Sequence, residues 1–199
     1  MCFNKMTICR TNLRLPDVPV ALKEQLIYLA ADTSAVSKQF LSGAGVFETS
    51  PITDDIRSWV VENIIKDVPA DVFFTYGGGL QTIKNGNFAP HIDPPTPTGK
   101  TRHWNLMYIV ATGGEKVTTS FYETPSDFTE RCVKSQLFSI KQENISLLKT
   151  IEEVEFKLNT WNLMNNQTIH SVQGITGVRI GLSIGICTKE LPEFLKRFL

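Results

Sequence analysis

Two of the three histidines in this 199-residue chain stand in fragments that can do chemistry, His91-Ile92-Asp93 and His170-Ser171-Val172, and Arg179 follows nine positions after the second. Two imidazoles and one carboxylate make the facial ligand set that holds non-heme Fe(II) while leaving coordination positions open. On an extended strand successive side chains alternate between faces, so His91 and Asp93 point to one side and can share an ion. His170 must then arrive from a distant strand. Arg179 is the residue type that grips the far carboxylate of a dicarboxylic acid through paired hydrogen bonds. Each fragment alone has a plainer reading: a solvated turn between Pro90 and Pro94-Pro95, a core histidine on a backbone carbonyl, a surface strand arginine. Their order on strand ends of one small chain favours the metal reading.

The elements that must position these groups are legible in outline. From Asp17 to Ala31 an acidic start precedes Val20, Leu22, Leu26, Ile27 and Leu29, which predicts an amphipathic helix with one buried stripe. A second helix follows Ser50-Pro51, with Asp54 and Asp55 in its first turn and Ile56, Trp59, Val60 and Ile64 at helical spacing down to Lys66. Beyond Pro69 the pattern changes to strands at 72–76, 103–110, 117–122, 136–140, 156–163 and 178–187, rich in β-branched and aromatic residues. Gly77-Gly78-Gly79, Asn85-Gly86, Gly113-Gly114, Asn165-Asn166 and Thr176-Gly177 read as turns or loops between them. A short helix is expected within Glu190–Leu199. Helices first and then many strands predict an α+β fold, mainly β, whose early helices cover one sheet of a sandwich or barrel. In the last strand Arg179, Gly181, Ser183 and Gly185 would share an inward, roomy face, with Ile180, Leu182 and Ile184 packed beneath the helices.

The chain's size suits one domain over 1–199, with helical support at about 17–66 and a β core at about 71–188. Lys plus Arg and Asp plus Glu each number 20, so no global field argues for nucleic acid or an anionic membrane. Cys2, Cys9, Cys132 and Cys187 lie far apart without a C-x-x-C pair, which fits reduced thiols in a cytoplasmic setting. The N-terminal MCFNKMTICRTN lacks a long apolar core, and no run approaches the roughly 18 to 20 apolar residues of a membrane span.

The segments FAPHIDPP, RHWNLMYIV, the Gly113-Gly114 turn and WNLMNNQTIHSVQGITGVRIGLSIG resemble the Fe(II)- and 2-oxoglutarate-dependent dioxygenases, over about Val72 to Cys187, and most of all their prolyl-hydroxylase-like branch. The resemblance implies a double-stranded β-helix of jelly-roll, cupin-like form, with the N-terminal helices packed on one sheet. It implies that His91, Asp93 and His170 ligate iron and that Arg179 pairs with the C5 carboxylate of 2-oxoglutarate. Tyr76, Asn105 and Ser183 fall where related enzymes contact this cosubstrate. Relatives often carry a tyrosine where this chain has Ile109, with Tyr108 on the opposite face, and Ser or Thr where it has Gly181. The activity implied is O2-dependent hydroxylation of a peptide or protein side chain, prolyl foremost, or of a small molecule, with 2-oxoglutarate converted to succinate and CO2. Halogenating relatives have a small residue where Asp93 stands. The alternative is a non-catalytic β-barrel binding module with a vestigial metal site; a cupin-type hydrolase or isomerase would want a more histidine-rich set. Loops at 77–90, 94–100 and 122–133 are the expected substrate rim, and His103 reads as a core or surface residue rather than one inside near the substrate.

Overall fold

The computed structural model describes residues 8–31, 37–40, 46–65, 73–84, 88–93, 101–123, 140 and 142–197, with backbone alone for 37–40, 46–51, 73–84 and 142–143. The strands are β1 (Cys9–Leu13), β2 (Ser37–Phe40), β3 (Val46–Pro51), β4 (Phe73–Lys84), β5 (Phe88–His91), β6 (Trp104–Thr112), β7 (Thr118–Glu123), β8 (Lys149–Glu155), β9 (Trp161–Asn165), β10 (Ile169–Gln173) and β11 (Val178–Ile186). The helices are α1 (Val20–Ala31), α2 (Asp54–Asn63) and α3 (Glu193–Lys196). Among the described residues, one antiparallel sheet has seven strands in the order β1-β9-β6-β11-β4-β3-β2, and a second has four in the order β5-β10-β7-β8. From β4 to β11 the chain passes back and forth between the two. β11 is paired between β4 and β6, and β10 between β5 and β7. This is the expected double-stranded β-helix, extended by β1 on one edge of the larger sheet and by β2 and β3 on the other.

Strand alternation sorts the residues of the larger sheet into two environments. Ile180, Leu182, Ile184 and Ile186 of β11, Leu106, Tyr108 and Val110 of β6, and Trp161 and Leu163 of β9 are buried with Leu26 and Ala30 of α1 and Ile56 and Val60 of α2. The helices therefore cover the outer face of this sheet, and each fully buried Leu or Ile there contributes about 1.5–3 kcal/mol. Met107, Ile109 and Met164 point the other way and meet Phe121 and Phe156 between the sheets. The N-terminal segment is tied to the outer face by Trp161 Nε1, which donates to Pro16 O at 2.8 Å, and by Tyr108 Oη, which donates to Asp17. Helix α2 starts where expected: Thr53 Oγ1 accepts from Ile56 N at 3.4 Å, with Asp54 and Asp55 in the first turn against the positive end of the helix.

Three expectations need correction. Helix α1 begins at Val20, because Asp17 is held outside it by Lys23 and Tyr108, and Val20 and Ile27 are 69% and 49% exposed instead of buried. Gly77-Gly78-Gly79 lie inside β4, where Gly78 and Gly79 face Ile184 and Ser183 of β11. A strand with partners on both sides satisfies its backbone whatever its intrinsic propensity. Finally, β1, β2, β3 and β8 carry little alternation in sequence, and β9 begins only at Trp161, after a turn in which Asn159 takes φ 57°. The expected strand at 136–140 and the Asn85-Gly86 turn lie outside the described residues, apart from Ile140, whose N donates to Pro90 O at 2.9 Å. No helix among the described residues is long and apolar enough to cross a membrane.

Candidate metal centre

His91 ends β5, His170 lies in β10, and the two are direct partners in the antiparallel ladder. Partners across a ladder point to the same face, and the ring centroids are 4.3 Å apart. Asp93 leaves the strand two residues past His91 and returns its carboxylate to the same spot. Asp93 Oδ1 is 3.6 Å from His91 Nε2 and 3.8 Å from His170 Nε2. One ligand atom from each of the three lies within 4.8 Å of the others.

The hydrogen bonds of the rings decide what these atoms can do. His91 Nδ1 is 2.9 Å from Ala89 O, and His170 Nδ1 is 2.9 Å from Thr168 O. A carbonyl oxygen only accepts, so each Nδ1 carries a proton, and it is Nε2 that presents the lone pair of the neutral ring. Burial, helped by the charge of His91, pushes His170 down to about 4, so its ring is neutral near pH 7. Burial works against ionisation of Asp93, but His91, Arg102 and His170 outweigh it and hold the carboxyl well below the usual range. The two Nε2 atoms and a carboxylate oxygen thus face one another at one spot. That is unfavourable unless a cation sits between them, and the donor set suits Fe(II).

Arg179 lies on the inward face of β11, near its start, and is 5% exposed. Its Cζ sits 5.5 Å from the centre of the Phe156 ring. Among the described residues no carboxylate pairs with it, and burial alone pushes its pKa down to about 10. A Cβ on Gly113, at φ +83°, would stand 2.9 Å from Arg179 Cβ and N, so the turn after β6 needs glycine for the arginine strand to pass. Asn105 and Ser183 also face inward and are buried, but they meet each other: Ser183 Oγ donates to Asn105 Oδ1 at 2.7 Å. The Asn105 amide keeps its Nδ2 donor for something else. Tyr76 belongs to β4, and its side chain lies outside the described residues. Ile109 faces inward and Tyr108 outward, as the alternation predicts, and Met107 occupies the space a side chain at Gly181 would take, its Cγ 3.4 Å from a Cβ built there. His103 joins the ladder through its backbone, accepting from Asn166 N at 2.9 Å and donating to Ile186 O at 2.9 Å. Of the expected rim loops, 77–84 is strand, while 85–87, 94–100 and 124–133 lie outside the described residues.

Sequence reasoning missed three groups here. Phe156 underlies Arg179, Thr119 has a buried hydroxyl with no hydrogen-bond partner, and Asn166 is buried with neither amide atom partnered. Thr119 was recoverable from alternation, since Val117, Thr119 and Phe121 fall on one face. The partnerless state of the other polar groups is a property of packing alone.

No known family model matches the chain, and no curated protein matches it. Solved structures do. The carbocyclase SnoK of nogalamycin biosynthesis, described as non-heme and alpha-ketoglutarate-dependent, aligns with TM-score 0.56 at 10% identity, covering 96% of this chain and 86% of its own. The epimerase SnoN, in complex with Fe3+, alpha-ketoglutarate and nogalamycin RO, aligns with TM-score 0.52 at 11% identity, covering 90% and 84%. A prolyl hydroxylase from Trichoplax adhaerens, in complex with a hypoxia inducible factor peptide, aligns with TM-score 0.50 at 8% identity, covering 90% and 82%. The chain therefore has the fold of the 2-oxoglutarate-dependent oxygenases.

Proposed function

We propose that this protein is a 2-oxoglutarate-dependent, non-heme Fe(II) dioxygenase that hydroxylates a peptide or protein side chain, prolyl foremost, or a small molecule, and that it works in the cytoplasm. The observation that carries this reading is the convergence of two groups in one interior: two Nε2 atoms and the Asp93 carboxylate at one level, and a buried guanidinium with no carboxylate partner among the described residues toward the Gly174–Gly177 end. A ligand that chelates a metal at one end and bears a carboxylate at the other would satisfy both. A non-catalytic barrel has no need of Arg179, whose burial without a carboxylate partner among the described residues is destabilising.

His91 and His170 would hold the metal through Nε2 and Asp93 through its carboxylate, with both Nδ1 protons staying on their carbonyls to fix the rings. When bound, Fe(II) and 2-oxoglutarate supply O2-dependent oxidation of a substrate C–H bond, coupled to release of succinate and CO2. Arg179 would fix the distal carboxylate, and Met107, Ile109, Phe121, Phe156 and Met164 keep water from the space beside it. Ser183 orients Asn105 so that its Nδ2 can donate toward the bound ligands. By the family resemblance alone, Tyr76 would be a further cosubstrate contact. The solved neighbours are in complex with both kinds of molecule considered, a hypoxia inducible factor peptide in one case and nogalamycin RO in another. Anaerobic titration with Fe(II) and 2-oxoglutarate should raise a weak visible charge-transfer band, and admitting O2 with candidate peptides or amino acids should release succinate. A protein that binds Fe(II) but gives neither signal would refute the reading.

A further inference from the structure

Asn166 is 0% exposed, and neither its Oδ1 nor its Nδ2 has a hydrogen-bond partner among the described residues. The ladder sets its place. Asn166 N donates to His103 O at 2.9 Å, which carries the pairing of β9 with β6 one residue past Asn165 and Trp104. Trp161 and Leu163 of β9 pack with the helices and Met164 lies between the sheets, so alternation puts Asn166 on the inward side with Met164. β9 runs into the turn that Asn166 opens, and β10 leaves that turn with His170 as its second residue. Two bonds tie the turn to the metal ligands. Thr168 O holds His170 Nδ1 at 2.9 Å, and Gln167 Nε2 donates at 2.8 Å to the carbonyl of Arg102, a residue whose charge acts on both Asp93 and His170. The carboxamide therefore belongs to the metal end of the interior, whereas Arg179 enters at the start of β11, the opposite end. Its burial is no bar to meeting a ligand, since His91 and His170 are buried as well.

We propose that the Asn166 carboxamide is a specificity-determining group for the prime substrate and pairs with the main chain of an extended peptide, Oδ1 accepting from the N–H and Nδ2 donating to the C=O of one residue. This rests on the oxygenase reading above and narrows its substrate to a peptide. A buried carboxamide with both atoms unpaired is destabilising, and a ligand that offers one donor and one acceptor together relieves both. In the hydrogen-bonded pair of an antiparallel ladder two residues exchange both bonds, because the N–H and C=O of an extended residue point to one side. A planar carboxamide carries acceptor and donor side by side and can replace one of those two residues. A ketone or an ether offers acceptors alone and would leave Oδ1 buried and unpaired. Proline has no N–H, so in a prolyl substrate the residue that pairs with Asn166 is one beside the proline.

The test uses the whole chain loaded with Mn(II), which tolerates air, and with 2-oxoglutarate. The probe is a degenerate library of acetyl-pentapeptide amides; those retained with the protein on ultrafiltration are identified by mass spectrometry and titrated singly by calorimetry. The parent should retain a subset, and Asn166→Leu should bind each of these about 5- to 100-fold more weakly, the loss of two neutral hydrogen bonds. Methylating the backbone nitrogens one at a time should reveal one position that weakens binding to the parent and not to Asn166→Leu. Both proteins should bind 2-oxoglutarate alike. The ligand-free Asn166→Leu protein should melt no lower than the parent, because the lost amide had no partner. A parent that retains no library peptide, equal peptide binding in Asn166→Leu, methylation effects that are the same in both proteins, a matching loss of 2-oxoglutarate affinity, or a lower melting temperature would each overturn the assignment while leaving the oxygenase reading intact. A parent that binds no 2-oxoglutarate would instead remove that reading, and this one with it.

Discussion

Replacing Arg179 with methionine should move stability and cosubstrate affinity in opposite directions. The guanidinium is 5% exposed and has no carboxylate partner among the described residues. Its displacement from 12.5 to about 10 corresponds to roughly 3 kcal/mol of unfavourable burial. The contact with Phe156 returns about 1 kcal/mol of that, and a methionine thioether can remain over the ring. The metal-free variant should therefore gain about 2 kcal/mol, or about 4–8 °C in melting temperature for a chain of this size. In the same protein the paired hydrogen bonds to the distal carboxylate are gone, and 2-oxoglutarate should bind about ten to a thousand times more weakly. Differential scanning calorimetry of the metal-free protein and calorimetric titration of the Mn(II)-loaded protein read the two effects separately. A melting temperature that falls by several degrees would mean that Arg179 is paired within the protein. Unchanged 2-oxoglutarate affinity would mean that the arginine faces something else.

Other consequences are open to direct measurement. His91→Ala or His170→Ala should abolish stoichiometric Fe(II) binding, read by metal analysis after desalting, while circular dichroism keeps its strand signature; full iron content in either variant would break the triad. The metal-free protein should weaken on acidification from pH 6.5 to about 4, because the unfolded chain takes up a proton on His170 that the folded one refuses, by about 3 kcal/mol at most. Asp93 keeps its charge in the fold and adds to that loss only below the ordinary carboxylate range. Denaturant titrations at pH 7 and 4.5 with chelator present should show the slope, and His170→Gln should flatten it; a variant with the parent's slope would refute the cause. Gly113→Ala should lose at least about 1 kcal/mol, since its added methyl meets Arg179 in a left-handed turn, and should also weaken 2-oxoglutarate binding. Equal affinity in that variant would show that the turn does not position the arginine.

The parts of this structure legible in sequence are those where one physical rule acts alone. Alternation in Val178–Ile186 set Arg179 inward and the isoleucines under the helices, because a strand buried on both faces has no other way to place them. His91, Asp93 and His170 were legible by residue type, since so few arrangements need two imidazoles and an acid. Where tertiary context overrides local signals, reading failed. Gly77–Gly79 resemble a turn until β11 pairs with Gly78 and Gly79 and β3 reaches Gly79 from the other side. β8, the edge strand with sequence KTIEEVE, is mostly exposed and charged, a composition that guards an edge but hides the strand. Val20 and Ile27 fit the stripe of a buried helix face, yet the sheet beneath α1 is covered by Leu26 and Ala30, with Leu22 and Leu29 beside them. Thr119 and Asn166 gave no sign by type, because a partnerless polar atom is visible only once everything around it is placed.

Because each imidazole is pinned to a carbonyl two residues back in its own segment, the ring nitrogens move with the main chain of β5 and β10. The four-residue β5 is the outermost member of its sheet, joined to the body of that sheet through β10 alone. A bound ion would act as a clasp across this seam, fastening segments 79 positions apart in the chain through three coordinate bonds. Amide hydrogens of Phe88, Ala89 and His91 should accordingly exchange far more slowly in the metal-loaded protein than in the chelated one, while those in the middle of β6 exchange alike in both.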